Sequence, residues 1–263
     1  MEEITIDAEL REELNKVALG CRVLAMEGHE DLSLGHLSLR DPQGRGVWMK
    51  RCFVGLDEIR GPDDFILLDY DGQKLYGPGE RHSEWPIHTE ILRARPDVAV
   101  VGHTHPFHAS LLSATGETLQ PIGLEGIHFA LNTPHFTETV DLIADKRLGG
   151  NLAETLGNAR MAFMKNHGVV FVGSNVGEAV ITGVWLEKAS RAQLALHGAG
   201  IPWSTPERAD WEGKAGTIGS LGWWENFFAF YCRKLLRREG ATAEAERMRA
   251  ETLGWRRGEI PRW

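Results

Sequence analysis

The run Val98-Ala99-Val100-Val101-Gly102-His103-Thr104-His105-Pro106 limits the possible folds of this chain more than any other stretch. Its β-branched residues favour an extended strand, and it ends in two histidines before a proline. Just upstream, residues 83–95 (SEWPIHTEILRAR) read as a helix, with Ser83 as N-cap candidate, Pro86 in the first turn and Pro96 as the stop. A helix feeding such a strand predicts an α/β layered domain.

The rest of the chain supports that class. Residues 7–27 carry Leu10, Leu14, Val17, Leu19 and Val23 at roughly helical spacing, with Gly28 as the stop. From 31 to 80 the texture turns to short strand-like runs: LSLGHLSLR, GVWMKR and FILLDYDGQKLYG. Asp71-Gly72 in the last of these is a hairpin signal. Asp69 and Asp71 lack the remainder of a calcium-loop pattern. Residues 107–114 predict a short helix, 161–173 two strands meeting near Asn166-His167-Gly168, 176–198 a long helix, and 223–250 one further helical stretch.

Composition narrows the function. A net charge of −8 argues against a nucleic-acid partner, which needs a basic surface. No run of eighteen apolar residues is present, so no membrane span is expected, and the acidic start MEEITIDAEL does not read as a secretory signal. Cys21, Cys52 and Cys232 are scattered, which fits a reducing cytoplasm.

The chemistry-bearing residues follow. Residues two apart on a strand face one side, so His103 and His105 form a potential metal pair or two unrelated surface histidines. His167, before Gly168, reads as a third ligand or as a turn histidine. Glu84 opens a helix and reads as a ligand or as a carboxylate favoured there by the helix dipole. Three imidazoles and a carboxylate would suit Zn²⁺, and also Mn²⁺ or Co²⁺.

Taken together, GHLSLR (35–40), SEWPIHTEILRARPDVAVVGHTHP (83–106) and KNHGVVFVG (165–173) resemble the class II aldolase/adducin family, from the first helix to about residue 198. The resemblance implies a three-layer α/β/α sandwich over residues 1–200. A C-terminal helical extension, 201–263, follows; it lies beyond the clearest resemblance, and its expected role is lid, interface arm or both. The resemblance implies a homotetramer with sites near subunit interfaces. It also implies that His103, His105 and His167 bind one divalent metal, and that Glu84 is a fourth ligand or the acid/base.

Two departures matter. His36 stands where the family's sugar-phosphate aldolases carry Asn. The stretch GVWMKRCFVG (46–55) replaces their phosphate-gripping loop of small residues. Lys50 and Arg51 there would suit a substrate carboxylate, or would be an exposed pair on an edge strand. The altered pattern is similar to the family's metal-dependent decarboxylases of hydroxylated aromatic or pyridine carboxylates. The expected activity is therefore a metal-dependent lyase that decarboxylates such a small-molecule carboxylate.

Metal chelation of a neighbouring oxygen would stabilise the enolate-like electrons left by C–C cleavage, using Zn²⁺ or Mn²⁺, with Fe²⁺ or Co²⁺ as alternatives. Ser38 is a substrate-binding candidate. Glu84, His36 and Tyr231 are candidate proton donors, Tyr231 acting across a subunit boundary. Packing is the other reading of Tyr231, backbone hydrogen bonding that of His36. His88, one turn after Glu84, would orient it or lie solvated at the surface. The alternatives are an aldolase cleaving a sugar phosphate or hydroxy-ketone, a mononuclear iron oxygenase, and a non-catalytic adducin-like binding module.

Overall fold

The computed structural model describes residues 4–220 and 223–253. Its centre is an eight-stranded sheet. The strands are β1 (His36–Arg40), β2 (Val47–Lys50), β3 (Phe65–Leu68), β4 (Lys74–Tyr76), β5 (Val100–Thr104), β6 (His135–Phe136), β7 (Met161–Met164) and β8 (Gly168–Gly173). They lie in the order β4-β3-β2-β1-β5-β8-β7-β6. All neighbours are antiparallel except β6 and β7.

Side-chain alternation divides the core between the two faces of the sheet. Leu37, Leu39, Val100, Val169 and Phe171 point to one side, where α1 (Ala8–Leu24), α3 (Phe107–Ser113) and α6 (Val176–Ala199) pack. Val101, Val170 and Val172 point to the other, under α2 (Trp85–Ala94) and α5 (Lys146–Leu156). Helices thus cover both faces, and the three-layer α/β/α sandwich is the observed architecture. α4 (Gly123–Phe129) rests on α6, and α7 (Arg208–Ser220) packs on α4, Trp211 contacting Ile127.

Local chemistry explains the ends of several elements. Asp7 caps α1 by accepting from the Leu10 N–H at 2.9 Å. α1 gives way to a widened turn over Ala25–His29, and Gly28 there adopts φ +98°, a conformation that stops the helix where the sequence predicted. At the β3–β4 hairpin, Asp69 Oδ1 accepts from the Asp71 and Gln73 amides, each at 2.8 Å, and Gly72 has φ +80°.

Three expectations change. The LSLGHLSLR run becomes a strand only from His36, because residues 30–35 form a loop. Glu84, not Ser83, precedes the first residue of α2, and its side chain does not cap the helix. The stretch 223–250 is two helices, α8 (Trp223–Arg238) and α9 (Thr242–Leu253), broken at Gly240 with φ +82°. Trp224, Phe228, Cys232 and Leu235 of α8 join the core beside α1 and α6. Each large apolar side chain so buried contributes about 1.5–3 kcal/mol. Residues 254–263 of the expected extension lie outside the described residues.

Candidate metal centre

The alternation that buries Val101 under α2 also sends His103 to that side of the sheet. His36 pairs with His103 directly across the β1–β5 ladder, and Ser38 pairs with Val101. Glu84, at the start of α2, looks down on the same patch. His167 arrives from the β7–β8 turn, where Asn166 takes a left-handed φ of +56°. Gly168 lets that turn come close: a Cβ there would meet the Thr104 carbonyl oxygen at 2.6 Å and His105 Cδ2 at 2.5 Å.

These elements bring Glu84, His103, His105 and His167 together, with one ligand atom from each within 4.8 Å of all the others. Glu84 Oε2 lies 3.4 Å from His103 Nε2, and Glu84 Oε1 lies 3.7 Å from His167 Nε2. The Ile143 amide donates to Glu84 Oε1 at 3.0 Å and fixes the carboxylate.

The hydrogen bonds made by the far ring nitrogens show what the cluster can hold. His103 Nδ1 donates to the Val169 carbonyl at 3.0 Å, and His105 Nδ1 donates to the Asp31 carboxylate at 2.9 Å. A neutral ring so engaged carries its lone pair on Nε2. The two Nε2 atoms are 3.1 Å apart. Two lone pairs that close repel unless a cation lies between them. The outer partners are those that orient metal-binding imidazoles. The donor set fits a divalent metal ion.

Burial tunes the charges in the same sense. It pushes the His105 ring below the usual imidazole range and His167 down to about 4. Burial would raise the Glu84 carboxyl, but the facing His103 and His36 together outweigh it and hold the group well below the ordinary carboxylate range. Neutral imidazoles and an ionised carboxylate are the forms a metal requires.

A second layer of imidazoles abuts the cluster. His36 Nε2 stands 3.9 Å from Glu84 Oε2. Its Nδ1 is 2.7 Å from His88 Nε2, and His88 Nδ1 is 2.7 Å from Ser38 Oγ. His82 packs against His36 with ring centroids 4.4 Å apart and the rings tilted by 48°. All four side chains are buried. His88 is therefore not solvated at the surface, and its partners are His36 and Ser38 rather than Glu84.

Other candidates lie differently. Lys50 is fully buried on an interior strand, so the exposed edge pair does not occur; its ammonium donates to the carbonyls of Ser33, Arg51 and Val54. Arg51 is half-buried and pairs with Asp64 at 3.0 Å. Ser38 Oγ is engaged by His88. Tyr231 is buried on α8, flanked by Lys188 and Lys234 at 5.6 and 5.5 Å from its ring. Sequence reasoning missed Asp31, His82 and the Ile143 amide. A loop aspartate and a backbone amide carry no local signal. His82 had one, lying six residues before His88 and two before Glu84.

Among the described residues, no helix is long and apolar enough to cross a membrane.

Comparison with known proteins agrees with this fold. The chain is 31% identical over 210 residues to a 3,4-dihydroxyphthalate decarboxylase of Rhodococcus jostii, covering 74% of this chain and 85% of that protein. An aldolase II superfamily protein from Pseudomonas syringae superposes with a TM-score of 0.81 at 26% identity, over 88% of this chain and 95% of the other. An L-fuculose 1-phosphate aldolase from Glaciozyma antarctica shares the fold, with a TM-score of 0.72 at 24% identity over 92% of this chain and 95% of that one. Residues 15–194 match the family model described as Class II Aldolase and Adducin N-terminal domain, and the chain belongs to that family.

Proposed function

We propose that this chain is a metal-dependent lyase that decarboxylates a hydroxylated aromatic or heteroaromatic carboxylate at the Glu84–His103–His105–His167 cluster. The observation that carries the reading is the convergence of three inward-facing imidazoles and one ionised carboxylate beside a fourth, buried imidazole at His36. Similarity to a 3,4-dihydroxyphthalate decarboxylase supports the substrate class.

The cluster would hold one Zn²⁺ or Mn²⁺, with Fe²⁺ or Co²⁺ as substitutes, through His103, His105, His167 and Glu84. When bound, the metal supplies Lewis-acid stabilisation of charge developing on substrate oxygen. The protein residues do the rest. Val169 and Asp31 keep the lone pairs of His103 and His105 turned inward. The Ile143 amide holds Glu84 at the cluster. Glu84 and His36 are the groups placed to move a proton. Loss of CO₂ leaves an electron pair on the ring carbon, and that carbon takes up one proton in its place.

The active assembly is a homotetramer in this reading, and the protein works in the cytoplasm. Exposed apolar side chains flank the segments that build the cluster: Leu32 beside Asp31, Phe107 beyond His105, and Val140 and Leu142 beside Ile143. Neighbouring copies would cover them. Residues 201–263 serve as an arm in that assembly, and Tyr231 acts from it on a neighbouring site.

The test is CO₂ release by protein loaded with Mn²⁺ or Zn²⁺, across hydroxylated aromatic and pyridine carboxylates, with sugar phosphates as controls. Release from an ortho-hydroxy carboxylate, abolished by a chelator, is expected. Silence on every aromatic, with aldehyde formed from a sugar phosphate, would replace the decarboxylase with an aldolase.

A further inference from the structure

Two side chains of one turn grip the end of the strand that carries His103 and His105. β5 pairs with β1 as far as His103 and with β8 as far as Thr104, so His105 lies past the last ladder residue. Side chains take over there. Asp31 accepts from His105 Nδ1 at 2.9 Å, and His29, two residues earlier, meets Thr104 Oγ1 at 2.8 Å. Thr104 faces the opposite side of the sheet from its two neighbours, where the His29 ring packs edge-on against Phe171 with centroids 5.9 Å apart. His29 and Thr104 are both fully buried.

The hydrogen bonds themselves give this link its direction. His29 Nε2 lies 3.1 Å from the Gly183 carbonyl of α6, and a carbonyl only accepts, so Nε2 carries a hydrogen. Both hydrogen-bond partners of the ring are uncharged, and a buried imidazolium with no carboxylate against it would be costly, so the ring is neutral and has only that hydrogen. Nδ1 is therefore bare, and the Thr104 hydroxyl donates to it. α6 holds His29, and His29 holds Thr104.

We infer that His29 is a positioning residue for the metal centre: by accepting the Thr104 hydroxyl on one face of the sheet, it fixes the angle at which His103 and His105 meet an ion on the other. The two ligands flank Thr104, so a turn of the backbone there would swing both rings. The role rests on the ligand assignment of the proposed function and not on its substrate.

Co²⁺ binding tests this without any substrate. Thr104→Val keeps the shape of the side chain and removes its hydroxyl. It should weaken Co²⁺ binding about 10-fold in a chelator competition. It should also shift the visible absorption bands of the cobalt-saturated protein, which report ligand geometry and would not move if the pair only filled the core. Thr104→Ser should restore native affinity and bands. His29→Leu should match Thr104→Val, and the double variant should lose no more than either alone. Native affinity and bands in Thr104→Val would overturn the role, as would losses that multiply in the double variant. Should His29→Leu fail to fold, Thr104→Val against Thr104→Ser still decides. Neutron diffraction from perdeuterated crystals reads the link directly: deuterium on His29 Nε2 and none on Nδ1 is expected, and deuterium on Nδ1 would overturn it. A native protein that takes up no Co²⁺ would remove the ligand assignment and this role together. Absence of CO₂ release, with Co²⁺ bound and the variants behaving as expected, would remove the decarboxylase alone.

Discussion

The Nε2 atoms of His103 and His105 face each other across 3.1 Å, and both rings have their Nδ1 hydrogens engaged on the opposite side. This arrangement makes sense with a cation between the rings. His103→Ala should therefore strip the metal and abolish turnover, as read by elemental analysis of the purified protein. Asp31→Asn leaves the ligand in place but weakens its outer partner, and should lower metal affinity by about 10–100-fold in a chelator competition. Native metal content in His103→Ala would refute the ligand assignment.

Glu84 is held by the Ile143 amide and lies between His103 and His36. Glu84→Gln preserves its shape and removes its charge. The variant should keep most of its metal and lose about 10²–10⁴ in kcat. Full activity would take Glu84 out of the mechanism.

Gly168 is where β8 meets the end of β5 too closely for a side chain. Gly168→Ala should push the His167 turn away from Thr104 and His105. The expected cost is about 1–3 kcal/mol in urea unfolding, with reduced metal content alongside. An unchanged stability and occupancy would show that the turn yields freely.

Lys50 donates only to backbone carbonyls among its described hydrogen bonds. Lys50→Met should lower stability by about 1–3 kcal/mol, because those carbonyls lose a buried donor. KM should change little. A large rise in KM with unchanged stability would instead put the ammonium on the substrate.

Burial pushes His29 and His88 down to about 3 and His128 and His167 to about 4. Below an unfolded value of about 6.5, the unfolded chain binds protons that the folded chain refuses. Their stabilising contribution is present above that pH and is lost on acidification toward about 3–4. Glu225, raised to about 7 by burial, has the opposite sign: its contribution is present at low pH and lost as pH rises through about 7. The four histidines outweigh it, so metal-free protein should be less stable at pH 5 than at pH 7, by more than about 1 kcal/mol in urea titration. Equal stability at the two values would mean that these rings are not buried neutral.

Much of this protein follows from local sequence alone. A β-branched run closed by Pro106, flanked by amphipathic segments, determines an alternation of strand and helix whatever the remote contacts are. The two-residue spacing of His103 and His105 likewise sets both on one side of a strand's exit, because side-chain direction there has period two. Tertiary structure decided the rest, since it depends on which strands become neighbours. Placing β5 between β1 and β8 sets His36 opposite His103, brings His167 alongside, and directs His88 of α2 onto Ser38. The same packing put Lys50 in the interior and removed the exposed-edge reading, one of the two its sequence offered, because β2 is paired on both sides. Asp31, a loop residue without local signature, became the outer partner of His105 only when residues separated by 74 positions were folded together. Local propensity acts within a few residues. The site is made by contacts between distant ones, so its candidate residues could be read in the sequence while their orientation could not.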